Sequence, residues 1–412
     1  KKYFPDADYT NWECTSVLAL YCSLPASLDN VSKALKLGEA KDSRGKRLIQ
    51  FFSVPRKPTK TNPKTRNMPE DAPEKWAEYI EYNRQDVVVE KAIRKRLLSL
   101  KPPAIEHEYW LLDQDINWRG VKVDMELVDA ALACNDEIVE EATESSKILT
   151  GLENPNSTMQ LKEWLTARLG YDLETMRKDD VSNLLAQDIP SDVRKVLQNR
   201  RVLGNSSIKK YLAMKNAVCS DGRIHGMLQF YGAMRSGRWA GRVVQLQNLP
   251  RNYLEDLDTA REVLKSRDVE MLDLLFGNPG DVIKQLIRTA LVAEDGHRFI
   301  VADFSAIEAR VIAWLAHEQW RQDVFAQGGD IYCASASSMF HVPVEKHGVN
   351  GHLRQKGKVA ELALGYGGGV GAMKAMDTKG EIPESELPGI IEAWRQASPR
   401  ITRFWFESSV IL

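Results

Sequence analysis

The residues best able to do chemistry fall in three short segments. Asp303 follows the apolar run Phe299 to Ala302, and a carboxylate leaving a buried strand is held rigidly enough to ligate a metal. Ser305 and Glu308 then have capping-box spacing and open a helix from Ala306 to Ala316, with Ile307, Val311, Trp314 and Leu315 on its buried side. A plain turn at Asp303 and a plain cap at Glu308 fit the same residues. Arg354, Lys358, Leu362 and Tyr366 recur every four residues along a second helix, His352 to Gly365. That spacing puts them on one face, climbing about 6 Å per step. Two cations so spaced can bracket a triphosphate, although a solvated face accommodates them too. The glycines between Gly365 and Gly371 end this helix and could serve as a hinge. In the third segment, Tyr82 and Asp86 lie four apart on a helix expected from Glu74 to about Leu100. A phenol beside a carboxylate can orient a water and hold a metal, or can simply be a structural hydrogen-bonded pair.

These segments carry a resemblance. Asp303-Phe304-Ser305-Ala306-Ile307-Glu308-Ala309-Arg310 resembles motif A of the family A DNA polymerases, D-Y-S-Q-I-E-L-R. The resemblance implies that Asp303 and the backbone carbonyl of Phe304 face catalytic magnesium. It implies that Glu308 crowds a ribose 2′-hydroxyl, and it counts Arg310 with the nucleotide-binding residues. Arg354-x-x-x-Lys358 followed by Tyr366-Gly367 resembles motif B. By that match Arg354 and Lys358 bind the incoming triphosphate, Lys358 protonates the leaving pyrophosphate, and Tyr366 stacks near the templating position. Leu362 stands where the family has an aromatic, which removes a flat stacking face and implies slower nucleotide incorporation. Arg235-Ser236-Gly237-Arg238 and Gln245 to Arg251 resemble the family's primer-template segment, implying DNA contacts from Arg235, Gly237, Arg238, Gln247 and Asn248. Tyr82 and Asp86 resemble the third motif of a 3′→5′ exonuclease, with Asp86 on a divalent metal.

The elements that position these groups follow from pattern and punctuation. Val54 to Pro73 carries five prolines and several cations, and reads as a long basic loop. The helix after it should bury Trp76, Ile80, Val87, Ile93 and Leu97, and Lys101-Pro102-Pro103 marks a boundary. A helical region follows to Lys215. In it Val128, Leu132, Val139 and Ala142 form one face and Asp136 to Glu144 an acidic opposite one. Ser157 caps a helix whose stripe Leu161, Trp164, Leu165 and Leu169 ends at Gly170, and Arg194 to Lys210 form a basic cluster. From Asp221-Gly222 the texture turns to strands.

The expected fold is mixed α/β (α+β) and multidomain. The resemblance implies a right-hand polymerase preceded by the end of a ribonuclease H-like exonuclease domain. Residues 1–103 would be that exonuclease end, 104–215 the thumb, 216–316 the first part of the palm with motif A, and 317–412 the fingers with motif B. The implied reaction is template-directed nucleotidyl transfer from deoxynucleoside triphosphates to a primer 3′-hydroxyl, with two Mg2+ ions, on primer-template DNA, by a monomer. No processivity partner is identified by these residues. A non-catalytic nucleic-acid-binding relative and a nuclease without synthesis are the rivals.

Composition bounds the alternatives. The 412 residues carry 56 Lys plus Arg against 57 Asp plus Glu, a net charge of −1. That excludes a uniformly basic DNA coat but not a local basic groove. Five scattered cysteines argue for a reducing compartment, the cytoplasm, and no run is long enough for a membrane span. The chain has neither an upstream D-x-E nor a downstream H-D-E, and reads as an internal piece of a longer polypeptide. With one metal-binding aspartate it is expected not to polymerise alone.

Overall fold

The computed structural model describes residues 8–38, 45–59, 63–204, 207–234, 236–377 and 380–409. They form two compact units, divided between Arg298 and Phe299. The architecture is mixed α/β, mostly helical.

The first unit opens with α1 (Thr15–Tyr21), α2 (Leu28–Ala34), α3 (Gly45–Ser53) and α4 (Pro73–Leu97). Pro73 starts α4 in the first turn, where its missing N–H would have had no intrahelical partner anyway. Its buried stripe is Tyr82, Val89, Ile93 and Leu97, stepping by seven, four and four. The expected Ile93 and Leu97 are in it, but Ile80 and Val87 are exposed. The reason is which face is covered: α1 and α2 pack on Val89, Ile93 and Leu97, and Gly45 of α3 lies against Tyr82. Part of the proline-rich loop precedes α4; it is closed by Arg56 N–H donating to the Thr65 carbonyl at 2.8 Å, and Lys60 lies outside the described residues.

After α5 (Ala104–Arg119) and β1 (Val121–Val123) comes the long α6 (Met125–Thr150). Asp124 caps α6 by accepting the Leu127 N–H at 3.1 Å. Its acidic face is exposed as the periodicity required, and Val128 and Ala142 are buried. Then follow α7 (Thr158–Leu169), α8 (Lys178–Leu185), α9 (Ser191–Leu203) and α10 (Ile208–Ala217). Ser157 accepts the Gln160 N–H, Leu161 and Leu165 are buried, and Gly170 closes α7 in the left-handed region. The basic cluster is partly structural. Arg194 donates to the Leu185 and Gln187 carbonyls, Arg200 to that of Asn156, and Lys210 to that of Val244.

Strands β2 (Arg223–Ile224), β3 (Leu228–Ala233) and β4 (Arg238–Gly241) lead to α11 (Leu257–Lys265), α12 (Val269–Phe276), α13 (Pro279–Leu286) and β5 (Leu291–Val292). β1 lies between β2 and β5, antiparallel to both, and β3 pairs with β4 as an antiparallel hairpin. The main core gathers Leu127, Val128, Tyr211, Ile224, Leu264 and Leu286. Each such buried side chain contributes roughly 1.5–3 kcal/mol.

The second unit contains α14 (Ile307–Leu315), α15 (Gln319–Ala326), α16 (Ile331–Phe340), α17 (Leu353–Leu364), α18 (Val370–Met376), α19 (Leu387–Ala397) and α20 (Pro399–Ser409). Its core of Ala336, Val359, Leu364, Ile390 and Trp394 surrounds one buried ion pair. Arg321 donates to Glu361 at 2.7 Å and to Ser398 at 2.7 Å, and lies against the rings of Trp320 and Trp394. The other Glu361 oxygen accepts the Trp394 indole N–H at 2.8 Å. A charge pair taken this far from water persists only when both partners are hydrogen-bonded, as they are here.

Two expectations fail at the start of this unit. Residues 299–304 are not a buried strand: among the described residues none pairs with them, and Ile300 and Val301 are 87% and 89% exposed. An apolar run becomes a strand only when a neighbouring chain takes up its N–H and C=O groups. The capping box at Ser305 is also absent. Ala306 is the N-cap of α14, in the left-handed region at φ 50°, which takes Ser305 out of capping register. The helix accordingly buries Ala313 and leaves Ile307, Val311, Trp314 and Leu315 exposed, the reverse of the expected face.

Candidate active site

α17 can lie close to α16 because Gly357 has no side chain: a Cβ there would stand 2.3 Å from the Tyr332 carbonyl oxygen. Gly357, Val359, Ala360, Ala363 and Leu364 are buried, so the opposite face is the open one. It is the face read from the sequence. Arg354 and Lys358 are half-buried on it, Leu362 is exposed, and Tyr366, just past the helix, is 72% exposed. Helical spacing therefore puts Arg354, Lys358 and Leu362 in one row, and Tyr366 follows just beyond the helix end.

Sequence reasoning missed the partner of Arg354. Asp330 caps α16: one carboxylate oxygen accepts the N–H groups of Tyr332 at 2.9 Å and Cys333 at 3.3 Å. The other accepts Arg354 Nε at 2.8 Å and an Nη at 2.8 Å. The guanidinium also lies over the Tyr332 ring, 5.2 Å from its centre. Burial pushes the Asp330 carboxyl up, but the Arg354 hydrogen bond and charge and the two backbone N–H groups outweigh it and hold it below the ordinary carboxylate value. The signal was present: an Asp just before an apolar helical run is an N-cap signature.

Asp303 and Phe304 are exposed, and Glu308 is half-buried on the first turn of α14. Arg310 Nε donates to the Ser305 carbonyl at 2.8 Å, and its guanidinium lies 4.3 Å from the centre of the Phe325 ring. Arg310 thus pins the segment that carries Asp303. Divalent ions of the Mg2+ class need several oxygen ligands. Among the described residues no group of three or more His, Cys, Asp or Glu gathers to hold one.

In the first unit, the β3–β4 hairpin presents the Ser236-Gly237-Arg238 turn, and Arg235 lies outside the described residues. Gly237 has φ 67°, and a Cβ there would meet the Tyr231 ring at 2.8 Å, so the turn requires glycine. Asp113 on α5 anchors the hairpin by accepting the Trp239 indole N–H at 2.8 Å and the Asn117 amide at 3.1 Å. Burial raises its carboxyl above the ordinary value despite these bonds. Gln247 and Asn248 are exposed on a loop with Val243 and Gln245 in the left-handed region, a strained conformation for a β-branched residue. Lys210 and Arg288 hold that loop through the Val244, Leu249 and Pro250 carbonyls. Tyr82 is buried, its ring against Gly45 and stacked on Tyr79, and Asp86 follows one turn later, half-buried.

Comparison with known proteins gives a consistent result. The sequence profile of DNA polymerase family A matches residues 126–410. A DNA polymerase of Bacillus phage SP02 is 51% identical over 398 residues, 96% of this chain and 61% of that protein. The thermostable DNA polymerase I of Thermus thermophilus is 35% identical over 154 residues, 37% of this chain and 17% of that protein. This chain therefore spans about three fifths of the phage relative's length. The polymerase domain of Pol1 from M. smegmatis, solved with DNA primer-template and dNTP, shares the fold: TM-score 0.57, 18% identity, 95% of this chain and 60% of that one.

Proposed function

The chain belongs to DNA polymerase family A, and from that premise we propose that the protein extends a DNA primer on a template by nucleotidyl transfer. The observation that carries this is the open row on α17: two cations one turn apart, then an aliphatic and an exposed aromatic side chain. The step of about 6 Å matches the length over which a triphosphate spreads its charge. Arg354 grips the outer phosphates with its planar fork. Lys358 faces the α–β bridge. As the primer 3′-oxygen bonds to the α-phosphorus and the bridge breaks, Lys358 gives its proton to the departing pyrophosphate. Tyr366 offers its ring to the base pair, and Glu308 excludes a 2′-hydroxyl.

Asp303 and the Phe304 carbonyl are proposed as ligands of a divalent ion, Mg2+ by the hardness of their oxygens, which when bound would supply positive charge to offset that of the phosphates. Arg310 acts by holding the Asp303–Ser305 segment. Gly237, Arg238, Gln247 and Asn248, with Arg235, touch primer-template DNA through phosphates and minor-groove acceptors, without reading sequence. Residues 1–103 would be the end of a proofreading exonuclease carrying Tyr82 and Asp86, 104–215 the thumb, 216–316 palm and 317–412 fingers. The protein would work as a monomer in a bacterial host's reducing cytoplasm, consistent with its free cysteines and phage relative. Among the described residues no helix is long and apolar enough to cross a membrane.

The test is single-nucleotide extension by the full-length protein. Lys358→Ala should slow the single-turnover rate at least a hundredfold while primer-template affinity holds. An unchanged rate would remove Lys358 from the reaction.

A further inference from the structure

We propose that Asp330 is a positioning residue for the nucleotide, fixing Arg354 in the orientation that receives a triphosphate. This rests on α17 being the triphosphate-binding face. An arginine is a long, many-rotamer side chain, and a guanidinium recognises phosphate only when its fork is presented in one plane. Here three contacts set that plane, and all come from one short segment. Asp330 takes Nε and one Nη through a single oxygen, and the Tyr332 ring backs the guanidinium's face. Asp330 is itself immobilised, because its other oxygen holds two backbone N–H groups at the head of α16. The close approach at Gly357 fixes the separation of α16 and α17, and so of the carboxylate and the guanidinium.

The pair is suited to positioning rather than to sequestering the cation. Of the five guanidinium N–H donors, Asp330 takes two and the Cys333 sulfur engages the group as well, which still leaves donors for an anion. Both side chains keep about a quarter of their surface in solvent, 25% for Arg354 and 29% for Asp330, so the free edge is reachable. Helix capping needs only the oxygen that faces Tyr332 and Cys333, so the oxygen on Arg354 is not required for α16 to form.

The experiment is a double-mutant cycle on this chain, read by titration with a deoxynucleoside triphosphate and Mg2+. Asp330→Asn keeps an acceptor for the α16 backbone and loses the charge that holds Arg354. It should weaken triphosphate binding about tenfold in the otherwise native chain and not at all in an Arg354→Ala background, with the melting temperature held. Equal weakening in both backgrounds would make Asp330 merely structural and overturn the proposal. Unchanged or tighter binding in Asp330→Asn would show the carboxylate to be idle or a competitor of the phosphates, and overturn it too. If Arg354→Ala alone binds like the native chain, the reading of α17 has failed, a result distinct from the other two.

Discussion

At position 362 an aliphatic side chain stands exposed between Lys358 and Tyr366. An aromatic there would offer a face to sugar and base that leucine lacks, worth about 0.5–1.5 kcal/mol. Leu362→Phe should therefore raise the single-turnover incorporation rate of the full-length protein roughly three- to tenfold, measured by rapid quench. No change would mean that closure on the nucleotide does not use this side chain. Asp113 gives a prediction of a different kind. Its folded carboxyl lies above the ordinary value of 3.8 because it is buried, so the folded state binds the proton more tightly than the unfolded chain. Its contribution to stability thus improves as pH falls through the raised value towards 3.8. Asp113→Asn should remove that gain, seen as a flatter difference in melting temperature between about pH 7 and pH 4. Single residues were also where sequence patterns spoke unevenly. The α17 row was legible because helical spacing alone sets its face. The Asp330–Arg354 and Arg321–Glu361 pairs join positions 24 and 40 residues apart, and no local pattern reports such pairings.

Among elements, α17 depends on two things that its exposed row does not reveal. One is the contact at Gly357. Gly357→Ala would push a methyl into the Tyr332 carbonyl and force α17 off α16. It should destabilise the second unit by about 1–3 kcal/mol, read by denaturant unfolding, and should weaken triphosphate binding as well. The other is the Arg321–Glu361 pair beneath it. Arg321→Met leaves a buried carboxylate without its cation and should cost about 3–5 kcal/mol, while restoring neutrality with Glu361→Gln should recover part of that loss. A double variant as unstable as the single one would show that packing, not charge, is the issue. α7 was readable in the sequence because cap, stripe and stop agree in it, α6 because its apolar and acidic faces alternate with helical period, and α17 because its four-residue spacing runs up to a glycine stop. The segment 299–304 and the face of α14 were misread for one reason. Apolar periodicity reports what can be covered, not what is covered, and among the described residues nothing pairs with 299–304.

For the whole molecule, two compact units divide the proposed machinery: the hairpin and loop proposed to meet DNA lie in the first, and Asp303 with the α17 row in the second. The family kinship was legible from motif order, and the profile of DNA polymerase family A matches residues 126–410. If the proposed DNA contacts run through phosphates, this chain should bind primer-template DNA with an affinity that falls steeply with salt; filter binding across a salt series would read this. The most direct measurement of the central claim is competition for a labelled deoxynucleoside triphosphate on this chain. If the α17 cations read the phosphates, pyrophosphate competes, the matching nucleoside does not, and the Arg354→Ala and Lys358→Ala variants each lose at least about tenfold in affinity. A nucleoside that competes as well as the triphosphate, or variants that bind as tightly as the native chain, would contradict it.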